Sequence, residues 1–145
     1  MDKINTHGYI SISIFLIALG IGDYTILKES VMLGVFYASV VVLGFMSISF
    51  TYCTKCTIRS NCKHFFPGLI SQVVKYKNRA YTKADIVVAI IPVVLMIVLP
   101  QYWLYRKNMY FNIFWMLVII ASIEVMFFVC KTCGNKKCAM CKNKE

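Results

Sequence analysis

Met109-Tyr-Phe-Asn-Ile-Phe-Trp-Met-Leu-Val-Ile-Ile-Ala-Ser-Ile-Glu124-Val-Met-Phe-Phe-Val129 runs without a break into Cys130-Lys-Thr-Cys133-Gly134-Asn-Lys-Lys-Cys138-Ala-Met-Cys141. The first part is an apolar run close to the ~20 residues an α-helix needs to cross a hydrocarbon core. The second is four cysteines spaced C-x2-C-x4-C-x2-C. The same junction occurs upstream, where the apolar run from Val31 to Tyr52 meets Cys53-Thr-Lys-Cys56 and then Cys62-Lys-His64. Cys53, Cys56 and His64 each lie 77 positions before Cys130, Cys133 and Cys141, and Cys62 falls one residue out of register with Cys138. Two further apolar runs, about Tyr9 to Leu27 and Ile86 to Tyr105, precede these junctions.

The expected fold is therefore an all-α integral membrane protein, with four transmembrane helices arranged as two tandem pseudo-repeated hairpins, each followed by a cytosolic Cys/His knuckle. Residues 1–68 form the first hairpin with its knuckle of three cysteines and one histidine, 69–83 a basic amphipathic interfacial linker, and 84–145 the second hairpin with its four-cysteine knuckle. Parallel repeats of this kind predict a pseudo-two-fold axis along the membrane normal. A hydrophobic share of 59% exceeds the ~45–50% of soluble globular chains. The runs are continuously apolar, without the period-2 alternation of a lipid-facing barrel strand.

Net charge is +10, which raises nucleic acid as a partner until its placement is considered. Lys3, seven Lys and Arg from Lys55 to Lys83, and five Lys from Lys131 onward make 13 of the 16 basic residues. By the positive-inside rule, both termini and the 53–83 loop are cytoplasmic and the protein is a multi-pass protein of the cell membrane. The basic face then suits anionic inner-leaflet lipid, with no nucleic acid and with a cytosolic or membrane protein as the expected partner. Leu69, Ile70, Val73 and Val74 share one helical face flanked by Lys75, Lys77 and Arg79, which predicts a short helix lying on that leaflet. Ala18-Leu-Gly20 has the small-x-small form of a signal cleavage site, but cutting there would delete the counterpart of the third helix, so the segment reads as a retained span.

Finer signals sit within the spans. Ala18 and Gly22, and across the short loop Gly34 and Ala38, are small residues four apart and predict a tight first hairpin. Thr82 and Asp85 form a T-x-x-D start signal for the third helix. Pro92 interrupts that helix and Pro100 lies near its end. From Tyr102 to Trp115 the aromatic residues crowd around Arg106 and Lys107, as in an outer-interface belt.

Seven cysteines and one histidine supply eight ligands, Cys53, Cys56, Cys62, His64, Cys130, Cys133, Cys138 and Cys141, enough for two four-coordinate ions. Thiols on the cytosolic side are kept reduced, which favours metal over disulfides. Two Zn2+ per chain is the leading expectation, because C-x2-C pairs with a histidine are a usual zinc pattern. An iron–sulfur cluster is the alternative, although no C-x2-C-x2-C-x3-C-P run is present. A third fate is redox chemistry of free thiols, since Lys55 and Lys131 sit inside or beside a C-x2-C pair and would favour the thiolate. The spacing leaves open whether the pairs are exchanged, with Cys53 and Cys56 sharing an ion with Cys138 and Cys141. Glu124 lies six residues before Cys130, about 9 Å up the helix. It is a candidate proton or ion site, with His7 or a snorkelling Lys3 as its expected partner.

The layout is similar to that of membrane palmitoyltransferases, which carry a cytosolic zinc-binding segment between the second and third of four helices. Their Asp-His-His-Cys signature is missing, and the stretch here is Cys62-Lys-His64-Phe-Phe. Cys130 and Cys133 are similar to the C-x2-C pair of vitamin K-type quinone reductases, whose thiols work on the oxidising side, opposite to the side the charges assign here. No residue roles follow from either likeness. The function expected is non-enzymatic: a membrane metal-binding protein presenting a cytosolic docking surface. The alternatives are iron–sulfur electron transfer between a cytosolic donor and a quinone, and metal-ion transport or sensing past Glu124.

Overall fold

Apolar length, not periodicity, sets the elements. The computed structural model describes residues 3–51, 53–56, 79 and 81–131, and every regular element among them is helical. In chain order these are α1 (Lys3–Leu27), α2 (Val31–Thr51), a 3-10 turn (Cys53–Lys55), α3 (Lys83–Val98), α4 (Gln101–Tyr105) and α5 (Asn108–Glu124), which continues as a π turn (Val125–Val129). Among the described residues four stretches are long and apolar enough to cross a membrane: Thr6–Leu27, Val31–Lys55, Lys83–Tyr105 and Asn108–Val129. The third joins α3 to α4 through Leu99 and Pro100. The segment expected to lie on the leaflet, 69–80, falls outside the described residues apart from Arg79.

The helices do not pair simply by chain order. α1 packs most extensively on α5, and α2 on α3, with a smaller α1–α2 contact. The two largest interfaces therefore join one half of the chain to the other. α4 touches both α1 and α5, and there Ala18, Leu104, Phe114 and Val118 form a buried cluster with Ile21, Ile97 and Trp115 against it. The small residues of the first hairpin accordingly serve several contacts. A Cβ on Gly34 would collide with Cγ and Cδ2 of Leu27, so Gly34 does mark the approach of α2 to the end of α1. Gly22 instead lies where Pro100 and the Tyr37 hydroxyl converge, at 3.1 Å and 3.4 Å from such a Cβ. Ala18 faces Leu104 and Phe114 of the other half.

Backbone polar groups inside lipid need a partner, and the prolines test this. Pro100 has no N–H, so the Met96 carbonyl loses its usual donor four residues on. Tyr37, buried in α2, donates its hydroxyl to that carbonyl at 2.7 Å. Next to it Gln101 Nε2 donates to Ile97 O at 2.6 Å while Gln101 Oε1 accepts from Trp115 Nε1 at 3.0 Å, linking α4 to α5. Tyr37→Phe leaves one buried carbonyl unpaired and is expected to cost about 1 to 2 kcal/mol. Unfolding in mixed detergent measures it, and an unchanged midpoint would refute the role given to the hydroxyl.

Near the α4–α5 junction the aromatic residues pack against one another and against basic side chains. Tyr24 and Tyr110 meet edge to face, as do Phe111 and Trp115. Lys28 lies 4.8 Å from the Tyr24 ring centre and Arg106 lies 5.1 Å from that of Tyr102. At the opposite end α3 begins with the expected cap: Thr82 Oγ1 accepts from the Asp85 N–H at 3.3 Å, and the Thr82 N–H donates to Asp85 Oδ2 at 2.8 Å.

Candidate metal centre

α2 ends in a row of hydroxyl residues whose side chains turn back onto its own carbonyls. Ser49 donates to Phe45 O, Thr51 to Ser47 O, and Thr54 to Phe50 O, all within 2.8 Å. Thr54 thereby supplies a donor to a last-turn carbonyl, while Ser49 and Thr51 satisfy their own hydroxyls inside the helix. The chain then closes a tight turn, with the Cys56 N–H donating to the Cys53 carbonyl at 3.1 Å. Such a turn is what a C-x2-C pair needs to bring two sulfurs toward one ion. Thr54 is fully buried, whereas Cys53 and Cys56 are half-buried.

Lys55, inside the pair, extends away to α3. Its Nζ lies 2.5 Å from Asp85 Oδ2, and the two side chains are only 12% and 16% exposed. The same oxygen accepts from the Thr82 hydroxyl at 2.8 Å and from its amide. Three donors thus converge on one atom. With its charge compensated by Asp85, Lys55 is a poor activator of the neighbouring thiols, and that weakens the redox-thiol reading of Cys53 and Cys56.

The second cysteine cluster is entered through the π turn. The Cys130 N–H donates to Val125 O at 2.8 Å, five residues back. The extra residue rotates Cys130 by about 100° from where an uninterrupted α-helix would place it. Glu124 closes the α-helical part, and His7 of α1 meets it with Nδ1 at 3.0 Å from Glu124 Oε2. The imidazole also stacks on Phe128, with ring centres 4.5 Å apart and planes 13° apart. Among the described residues His7 is a partner of Glu124; the Lys3 side chain lies outside those described.

Of the eight expected ligands, Cys53, Cys56 and Cys130 lie among the described residues, and Cys62, His64, Cys133, Cys138 and Cys141 lie outside them. Among the described residues no three Cys, His, Asp or Glu side chains gather into a group able to hold a metal, so Cys130 does not join Cys53 and Cys56 in one. The sequence expectation included the His7–Glu124 contact but missed Lys55–Asp85, Phe128 stacking and Tyr37. A signal existed for Tyr37, because a proline at 100 marks the carbonyl at 96 as needing an outside donor. No known protein family matches the chain, and neither does any curated protein or solved structure.

Proposed function

We propose that this is a membrane metal-binding protein whose two Cys/His knuckles hold zinc and order a docking surface for a protein partner on the cytosolic face. The observation that carries the reading is the closed Cys53–Cys56 turn: both intervening residues are engaged with the helices, and the two cysteines are left half-buried at the helix end. The 77-residue echo of the ligand spacing extends it to the second knuckle. Two four-coordinate ions use all eight ligands. The His7 contact accounts for a carboxylate six residues inside Cys130 without requiring an ion path.

The deciding experiment is metal and acid-labile sulfide content, with an absorption spectrum, on protein purified anaerobically in detergent. About two zinc per chain and no visible band is the expected result. Iron with sulfide and a broad visible band would replace this reading with iron–sulfur electron transfer to a quinone. Docking is tested separately by stripping the metal: a chain that keeps its partner after chelation has no metal-ordered surface.

A further inference from the structure

Each C-x2-C pair has two residues between its ligands, and how those residues are anchored decides how firmly the sulfurs are held. In the first knuckle those residues point to different helices. Thr54 is fully buried and donates to Phe50 O at 2.8 Å, which ties the turn back to α2. Lys55 reaches Asp85 Oδ2 at 2.5 Å, which ties it across to α3. Asp85 is itself immobilised, because its backbone N–H and its carboxylate both take part in the Thr82 cap. A flexible lysine is thus fixed at both ends, by a closed turn and by a capped helix terminus.

We propose that Asp85, acting through Lys55, is a positioning residue for the metal held by Cys53 and Cys56, so that the second half of the chain sets the metal affinity of the first knuckle. This rests on the metal-binding reading given above. The physical reason is preorganisation. Ligands that are already oriented lose less freedom on binding an ion, and removing a partner that orients a ligand from outside commonly weakens metal binding about 10- to 100-fold. Asp85 touches no ligand directly; its leverage is the charge-assisted bond to the residue between them. A different tie lies at the entry to the second cysteine cluster, where His7 of α1 meets Glu124 and Phe128 just before Cys130. That tie comes from the first half of the chain and serves as the control.

The test is competition for zinc between a chromophoric chelator and the full chain in detergent, for wild type, Asp85→Asn, Lys55→Gln, the double variant, Lys55→Arg and His7→Phe. Asn at position 85 can still accept from the Thr82 N–H, so the cap survives while the charge is lost. The expected result is that Asp85→Asn and Lys55→Gln each weaken one of two sites about 10- to 100-fold, and the double variant is no weaker than either. Lys55→Arg stays near wild type, and His7→Phe leaves the first site unchanged. The same experiment on a Cys130→Ser background identifies the affected site as that of Cys53 and Cys56. Zinc held at wild-type affinity in both Asp85→Asn and Lys55→Gln overturns the inference and leaves the metal reading standing. Weakening of both sites alike, with lost helical circular dichroism, makes the pair a general fold contact and also overturns it. A wild-type chain that holds no zinc overturns the inference together with the reading it rests on.

Discussion

Replacing Cys53 and Cys56 together by serine is expected to leave one tightly held zinc per chain, against the two expected of the wild type. Serine keeps the size and the turn but offers no soft thiolate, and two remaining ligands from Cys62 and His64 do not make a closed tetrahedral site. The lost ion also removes stability, because a structural zinc is bound only by the folded form and its binding free energy adds to folding. The matching pair Cys130→Ser and Cys133→Ser should likewise leave one ion, and all four changes together none. Zinc quantified against protein by mass spectrometry after gel filtration decides it. If the first pair alone abolished both ions, the two ions would share a single cluster rather than occupy separate sites. If two zinc persisted, the metal would be held elsewhere and the knuckle reading would fall.

Gly44→Leu should destabilise the protein by about 3 kcal/mol, the upper part of the range for overpacked cores. Gly44 faces α3: an added Cβ would collide with Met96 Cε and stand 3.0 Å from Pro92 Cβ. The methionine tip can swing aside, but the proline ring belongs to the α3 backbone and cannot. α2 and α3 would have to separate, and this is one of the two largest interfaces that join the halves. Met96→Ala in the same chain should recover part of the loss by vacating the nearer obstacle, although Met96 is fully buried and its removal costs packing of its own. Unfolding in mixed detergent gives both numbers and their coupling. Equal stability of wild type and Gly44→Leu would contradict the close contact between α2 and α3.

Much of the fold is legible in the linear sequence because apolar length is a linear property. The four runs have spanning length and no competing strand pattern, and the helices extend close to the expected limits, with α1 starting earlier, at Lys3. The α3 start was legible for a different reason: Thr82 and Asp85 are three residues apart, so their reciprocal bonds depend on local backbone alone. The Cys53–Cys56 turn belongs to the same class. For Glu124 the sequence offered both His7 and Lys3 at the same end of the first span, and the contact with His7, 117 residues away, came from the tertiary structure. The second knuckle remains a reading of spacing: Cys133, Cys138 and Cys141, like Cys62 and His64 of the first, rest on the repeat alone.

Pairing of the helices was decided only in three dimensions. A helix in water shows its buried side by an apolar stripe, but these helices are apolar on every face and carry no such stripe. Contact in lipid is chosen by close packing of small residues and by the needs of stranded polar groups. Gly44 admitting Met96 and Pro92, Gly22 admitting Pro100, and Tyr37 answering the carbonyl that Pro100 leaves open are such choices. So is the reach of Lys55 to Asp85. The sequence by itself determined that the chain has four helices of membrane-crossing length, with cysteine pairs after the second and the fourth. Only the tertiary structure decided that α1 leans on α5 and α2 on α3, because those contacts depend on which atoms fit across an interface and not on how apolar each helix is.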